Sequence, residues 1–198
     1  MGRVDRGIPT TYTFNAADQV VTVTTPAPGP GQPAQTTTTF YDSSLRAWKT
    51  THPDGASVTN EFHPTGLLKK QAGARTYPVE YTYDYAGRLK TMTTWQSHAS
   101  AAGAAVTTWH YHPQRGWLAA KRYSDTAGPD YTYTPAGRLE SRLWARGNPR
   151  LTTTYAYTLA GDLETVDYSD GTPDLAYTYD RQGRQVQVVQ GGSTTRRW

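Results

Sequence analysis

The chain has no cysteine, and that absence excludes disulfides, thiol chemistry and zinc-finger-type sites. Long apolar runs are missing too: no segment approaches membrane-spanning length, and no secretory apolar segment follows Met1. Only 36% of the 198 residues are hydrophobic. Apolar residues spaced by three, four and seven positions, which would indicate amphipathic helices, are absent. We therefore expect no membrane insertion and no helix.

Aromatic residues take the place of the missing aliphatic ones, because the chain contains 15 tyrosines and six tryptophans. A tyrosine buries a large ring while its hydroxyl stays wet or hydrogen-bonded. This composition suits a thin β-sheet with one covered face. The 18 glycines and 13 prolines indicate frequent turns.

A short phrase, Tyr-x-Tyr-Asp-x-x-Gly-Arg-Leu, recurs along the chain. Its clearest copies are residues 81–89 and 131–139; residues 155–163 carry Asp162 in the Arg position, and residues 177–185 keep Asp, Gly and Arg. The residues that match the phrase are Tyr81, Tyr83, Asp84, Gly87, Arg88, Leu89, Tyr131, Tyr133, Gly137, Arg138, Leu139, Tyr155, Tyr157, Gly161, Leu163, Tyr177, Tyr179, Asp180, Gly183 and Arg184.

Weaker copies of the repeat are found when the position of the glycine in the phrase is followed along the chain. This glycine slot falls at positions 18, 45, 66, 87, 116, 137, 161 and 183, with gaps of 21 to 29 residues. The two longest gaps contain residues 26–33 and 97–103, which we interpret as loop insertions. A steady period of this length is typical of a stacked repeat array. We predict a single array of about eight repeats over residues 1–198.

Each repeat is predicted to be a β-hairpin. The strand before the turn alternates aromatic residues with threonine, the pattern of a half-buried strand. Asp and Pro suit the first two turn positions, and glycine suits the left-handed conformation at the fourth. Leu45 occupies that fourth position in the second repeat, so we expect an irregular turn there.

This turn type predicts a strand register. The residue before the Asp position should lie opposite the residue six positions later, which pairs an aromatic with an apolar residue in every copy except the last. The expected pairs are Phe14–Val20, Tyr41–Ala47, Phe62–Leu68, Tyr83–Leu89, Tyr133–Leu139, Tyr157–Leu163 and Tyr179–Gln185. On the opposite face we expect Arg88, Lys90, Thr132, Arg138, Glu140 and Glu164 to be solvated.

No residue pattern indicates catalysis. Asp42, Asp84 and Asp180 recur at one turn position, which favours turn capping over acid–base chemistry. His110 and His112 lie two apart on a predicted strand and could hold a metal, but no third ligand is evident. Phosphate-binding glycine loops and nucleophile elbows are absent. We expect no enzyme activity, no metal site and no cofactor.

The net charge of +4 raises the question of a nucleic-acid partner. Arg142, Trp144, Arg146 and Arg150 form a local basic and aromatic run. No nucleic-acid-binding motif accompanies the charge, so we favour arginines on the solvated faces of successive strands.

The Tyr-x-Tyr-Asp-x-x-Gly-Arg-Leu phrase resembles the YD repeat, also called the RHS repeat, of bacterial Rhs polymorphic toxins, toxin-complex shell subunits and animal teneurins. The resemblance is specific at residues 81–89 and good at residues 131–139 and 177–184. It implies an all-β fold in which tandem hairpins form a spiralling sheet or solenoid-like shell segment. It also implies a secreted or cell-surface protein.

The resemblance implies a non-catalytic structural module that is part of a larger shell enclosing or displaying a partner. Eight repeats are too few to close a large cocoon, and no Asp-Pro-x-Gly segment is present. The alternative is an interaction module that joins copies of itself end to end into fibres or binds glycans. Glycan binding would need exposed tryptophans in a row, and the candidates are Trp48, Trp95, Trp109, Trp117 and Trp144.

Overall fold

The computed structural model describes residues 9 to 197, and these residues form strands and turns with no helix. No stretch of the described chain is therefore a helix that could span a membrane. The strands are β1 Thr11–Phe14, β2 Val20–Thr25, β3 Gln35–Tyr41, β4 Ala47–Thr51, β5 Ser57–Phe62, β6 Leu68–Gly73, β7 Thr76–Tyr83, β8 Leu89–Ser97, β9 Ala102–Tyr111, β10 Leu118–Arg122, β11 Asp130–Tyr133, β12 Leu139–Leu143, β13 Thr152–Tyr157, β14 Leu163–Tyr168, β15 Leu175–Tyr179, β16 Gln185–Gln190 and β17 Ser193–Arg197. The all-β prediction is confirmed.

The chain divides into two units, Met1–Ala105 and Val106–Trp198. In the first unit, β1 to β8 pair consecutively and antiparallel. In the second unit, the last part of β9 pairs with β10, and β10 to β17 continue in the same manner. Each unit is thus a meander of hairpins, as the repeat predicts.

The register expected from the turn type is confirmed at all seven hairpins. Tyr83 lies opposite Leu89, and the equivalent pairs are found from Phe14–Val20 to Tyr179–Gln185. In each of these hairpins a β-bulge separates the aromatic residue from the residue before it. The bulge arises because a turn whose fourth residue is left-handed places one extra residue on the return strand. In the remaining hairpin, Tyr111 lies opposite Leu118 across a turn that is one residue longer.

The turns share one backbone geometry. At residues 84–88 the Asp84 amide donates to the Arg88 carbonyl at 2.9 Å, and the Gly87 amide donates to the Asp84 carbonyl at 3.0 Å. The same two bonds close the turns at 15–19, 42–46, 52–56, 63–67, 123–127, 134–138, 158–162 and 180–184. The turns at 52–56 and 123–127 link successive hairpins, so the repeat's own turn is also used between repeats.

The expectation of an irregular second turn is wrong. Leu45 adopts a φ of 61° and makes the same backbone bonds as glycine does in the other repeats. Leu45 is 54% exposed, so the left-handed conformation does not force its side chain into a packed interior. The cost of that conformation is about 1–2 kcal/mol, which the rest of a regular hairpin offsets.

Very few side chains are fully covered. Among the described residues only five are buried: Ala120, Gly128, Pro129, Thr153 and Val166. The total accessible surface is 13390 Å². Two separate compact domains of half this mass would together expose only about 11,000 Å². Each unit is therefore a thin sheet and lacks the enclosed core of a globular domain.

The predicted solvated face is present with one correction. Lys90, Thr132, Arg138, Glu140 and Glu164 are exposed. Arg88 is half-buried instead, because its guanidinium bends back onto the turn and pairs with Asp84.

Candidate functional site: the junction between neighbouring hairpins

The first component of the junction is a carboxylate that caps its own turn. The Oδ1 of Asp84 accepts bonds from the amides of Ala86 at 2.9 Å and Arg88 at 3.0 Å, while its Oδ2 accepts one from Arg88 Nε at 2.7 Å. Asp42 with Arg46 and Asp180 with Arg184 repeat this arrangement. The recurring aspartates thus hold the turns, which leaves no pair of free carboxylates among them.

The electrostatics of these carboxyls follow from the bonds. The pKa of Asp42 and of Asp180 is lowered, first by the backbone amide of the arginine four residues later and then by its guanidinium. At Asp84 burial is the largest influence and raises the pKa, but the bonds from Arg88 and Ala86 together outweigh it and lower the pKa. All three side chains are therefore carboxylates at neutral pH.

Other repeats use weaker or neutral caps at the same position. Asn15 bonds the amides of Ala17 and Gln19 and pairs its side-chain amide with that of Gln19, which makes a neutral copy of the Asp–Arg pair. Thr134 and Thr158 each accept a single amide bond, at 3.2 Å. The arginine or aspartate that follows is then free to turn toward the neighbouring hairpin.

The second component is a tyrosine that bonds the preceding hairpin. The hydroxyl of Tyr83, the second tyrosine of its repeat, donates to the carbonyl of Leu68 at 2.9 Å. We name this contact the interhairpin tyrosine bond. It recurs from Tyr41 to Val20, Tyr133 to Leu118, Tyr157 to Leu139 and Tyr179 to Leu163, at 2.8–2.9 Å. The acceptor is each time the first residue of the return strand in the repeat before.

The third repeat supplies the same bond differently. Its aromatic residue is Phe62, which has no hydroxyl to offer the carbonyl of Ala47. Asn60, two residues earlier on the same strand, donates its side-chain amide to that carbonyl at 3.1 Å. Because alternate residues of a strand face the same way, Asn60 can reach the position that a tyrosine hydroxyl reaches elsewhere.

The pKa is raised at three of the tyrosines that make this bond. Burial is the largest cause at Tyr83, Tyr133 and Tyr179, and neighbouring tyrosines or Asp162 add to it. A protonated hydroxyl is required to donate to a carbonyl, so the environment favours the form that makes the bond.

The third component is the side chain after the glycine slot, which crosses to the next turn. Gln19 donates to the Leu45 carbonyl at 2.8 Å. Arg46 lies over the Phe62 ring at 4.7 Å, and Arg138 lies over the Tyr157 ring at 5.6 Å. Arg46 and Arg138 therefore join neighbouring hairpins, a role that the sequence did not reveal.

Two junctions are open where this side chain is apolar. Leu67 and Trp117 occupy the position, and the capping residues there are histidines. A cavity of about 590 Å³ lies beside His63 and Tyr83, and one of about 340 Å³ lies beside His112 and Tyr133. His63 still bridges its junction by donating from Nε2 to the Tyr81 carbonyl at 3.1 Å.

The five candidate tryptophans have separate partners. Trp48, which is 40% exposed, tilts against Phe40, and Trp95 contacts His98 edge-on. The Lys121 ammonium lies 5.2 Å above Trp109. Trp117 packs against Tyr133 with ring centres 5.1 Å apart, and Trp144 donates from Nε1 to Thr153 Oγ1 at 2.9 Å. Among the described residues no two tryptophan rings are in contact.

The two histidines considered for metal binding do not share a role. His110 is exposed on β9, whereas the Nδ1 of His112 accepts from the amides of Gln114 and Arg115, at 3.3 Å each. Within residues 9–197 no group of three potential metal ligands is found.

The arginines of the basic run in the second unit have different surroundings, and Arg150 belongs to a network around Asp130. Asp130 binds Arg122 through one oxygen and Arg150 through the other, the latter at 2.8 Å. Arg150 also donates to the carbonyls of Gly128 and Trp144. Burial raises the pKa of Asp130, but the two guanidinium groups outweigh it and lower the pKa. Arg150 is thus structural.

Sequence reasoning missed the Asp130 pairing, the Asn60 substitution and the crossing arginines. The interhairpin tyrosine bond could have been predicted from one observation. Most repeats have Tyr at a position where Phe would fill the same space, which indicates that the hydroxyl is needed. The Asp130 pairing offered no such observation, because its partners lie eight and 20 residues away.

Comparisons with known proteins show similarity at the level of the fold. No family model matches the sequence, and no curated protein matches it. The crystal structure of TcdB2-TccC3-TEV superposes with a TM-score of 0.67 at 15% identity, over 92% of this chain and 11% of that chain. For TcdB2-TccC3-Cdc42 the TM-score is 0.68 at 16% identity, over 94% and 11%.

A third similar structure is the Photorhabdus luminescens Tc holotoxin pore with the TccC3-D651A mutation. Its TM-score is 0.62 at 18% identity, over 82% of this chain and 9% of that chain. The chain thus spans about a tenth of the length of these Tc toxin chains. Identities this low establish a shared fold and nothing finer.

Proposed function

We propose that this chain is a non-catalytic wall segment of a β-sheet shell, which encloses or displays a partner only as part of a larger assembly. The observation that carries the proposal is a thin sheet, almost without buried side chains, whose hairpins are joined by a repeated set of bonds. Such a sheet extends by adding hairpins, and it encloses a space only when it curves as part of a larger assembly.

Fold similarity to Tc toxin chains supports this proposal and an extracellular or cell-surface location. The commitment of the recurring carboxylates to turn capping supports a non-catalytic role. A structural shell segment depends on contacts between its strands and does not depend on reactive side chains.

Self-assembly through sheet edges is the second candidate. Within residues 9–105, β1 pairs with β2 alone, and Tyr12 and Phe14 on β1 are more than half exposed. Exposed aromatic residues on an outer strand favour pairing with another strand. Glycan binding stays a prediction, to be tested on the tryptophans individually because each has its own partners.

Negative-stain electron microscopy of the purified chain at neutral pH separates these candidates. Thin curved sheets or hollow particles would support a wall segment, and uniform filaments would support end-to-end assembly. Solid globular particles would contradict both. Hydroxyl-radical footprinting adds a direct measure: a thin sheet predicts oxidation of Tyr12 and Tyr85, whereas a second covering layer would protect one face throughout.

A further inference from the structure

Two arginines of the basic run, Arg142 and Arg146, lie against the Trp144 ring. The guanidinium carbon of Arg142 lies 3.5 Å from the centre of the Trp144 ring, and that of Arg146 lies 5.3 Å from it. Within the described chain neither guanidinium makes an ion pair. Arg122 and Arg150 differ, since both bind Asp130. We call Arg142, Trp144 and Arg146 the arginine–indole site.

The site is built on a rigid platform. Trp144 is held by the bond from its Nε1 to Thr153, and Thr153 is only 2% exposed. Tyr131 lies on the adjacent strand, directly opposite Arg142, with its ring 5.7 Å from the guanidinium. An arginine that contacts two aromatic rings is restricted in the directions its donor groups can take.

The hydrogen-bonding capacity of Arg142 is unused. Its Nε is buried and bonds no acceptor, and its terminal nitrogens make no hydrogen bond to the described residues. A guanidinium offers five donors that match the two oxygens of a carboxylate. The neighbouring acid Asp170 makes no hydrogen bond or ion pair to either arginine in the described chain, and its Oδ1 accepts the Thr172 amide at 2.9 Å. Arg146 acts on it only through its charge, which helps to lower the pKa of Asp170 after the bonds from Thr172.

We propose that the arginine–indole site binds the carboxylate of an acidic polypeptide segment, with Arg142 as the fork-shaped donor and Arg146 as the second charge. Two positive charges on one indole fit a single acidic group. A nucleic-acid backbone needs a track of cations along successive phosphates. The other two arginines nearby cannot extend the site into such a track, because Asp130 occupies both.

The test is a titration of the intact chain, followed by NMR at the Nε1–H of Trp144, whose signal is identified by its loss in Trp144→Phe. The probes are a short peptide alternating Glu and Ser, its Gln and Ser counterpart of equal length, and single-stranded oligo-dT. We expect a saturable shift with the Glu peptide alone, and weaker binding as salt rises.

Three variants make the result specific to the site. Arg142→Ala should weaken binding of the Glu peptide about tenfold, as expected for loss of hydrogen bonds to a charged group. Arg142→Lys, which keeps the charge and is less disruptive to folding, should weaken it as well, because lysine lacks the fork. Arg181→Ala removes an equal charge from an exposed turn of the same unit and should leave binding unchanged.

Two outcomes would overturn the proposal. Equal shifts with the Glu and Gln peptides would show that the carboxylate is not recognised. Tighter binding of oligo-dT than of the Glu peptide would assign the site to nucleic acid instead. This titration does not depend on whether the chain forms part of a shell, so electron microscopy and NMR can fail independently.

Discussion

The two units are built from the same hairpin, yet they cover their side chains to different extents. All five buried residues of the described chain belong to the second unit. Seven of the ten exposed large hydrophobic side chains belong to the first unit. Strand composition explains the difference: β3 carries four consecutive threonines, whereas β13 and β15 alternate tyrosine with small or polar residues.

The comparison shows that turn chemistry and side-chain packing are separate sources of order. Turns with the same backbone bonds occur in both units, so hairpin formation does not depend on how well the faces are covered. The second unit adds the Asp130 pairing to the same frame. We therefore expect slower amide exchange in its strands than in those of the first unit.

The largest effect is expected from Gly128→Ala in the second unit. A Cβ at Gly128 would overlap the carbonyl oxygen of Lys121, which is backbone and cannot move aside. We expect a loss on the order of 3 kcal/mol in the free energy of unfolding, measured by urea denaturation. Gly171→Ala is the matched control, since that site has open space. Equal stability of the two variants would contradict the packing assignment.

Next in size is the loss of the interhairpin tyrosine bond, which both units share. Tyr157→Phe and Tyr41→Phe each leave a carbonyl without its donor, those of Leu139 and Val20. We expect each to lower the free energy of unfolding by about 1–2 kcal/mol. Tyr177→Phe, at the first tyrosine of its repeat, should be nearly neutral. A large effect at Tyr177 with none at Tyr157 would disprove the role of the bond.

A smaller effect, confined to the first unit, tests the substitution in the third repeat. Asn60→Ala removes the donor to the Ala47 carbonyl and should cost about 1 kcal/mol. Adding Phe62→Tyr should recover part of that loss, because the new hydroxyl lies where the other repeats place theirs. Thermal unfolding of the single and double variants measures both. No recovery in the double variant would show that Asn60 acts through another contact.

The smallest effect is the contribution of the Asp130 pairing, which the first unit lacks. Its side chain is 32% exposed, so solvent weakens the attraction, and Asp130→Asn should cost about 1 kcal/mol at neutral pH. The pKa of Asp130 is lowered from 3.8 in the folded chain. The stabilisation is therefore full above pH 3.8 and is lost as the pH falls through the folded value.

Stability curves of Asp130→Asn and the unaltered chain, measured by urea unfolding between neutral pH and strongly acidic pH, should converge below the folded pKa. A constant difference across that range would show that the substitution acts through packing.

Much of the fold follows from local sequence. Asp, Gly and their spacing specify a turn within five residues, and the turn specifies which residues oppose each other across the hairpin. For this reason the strand pairs were predictable one by one, from Phe14 to Gln185. Leu45 was mispredicted because a propensity describes an average residue, and an exposed leucine can bear a left-handed conformation when the hairpin around it is regular.

What the sequence by itself determined is the repeated hairpin, because its causes act between residues that are close along the chain. What only the tertiary structure decided is how one hairpin holds the next. The tyrosine bonds, the crossing of Arg138 to Tyr157 and the pairing of Asp130 with Arg122 join residues from different repeats. Such contacts depend on the orientation of neighbouring strands, which no turn specifies.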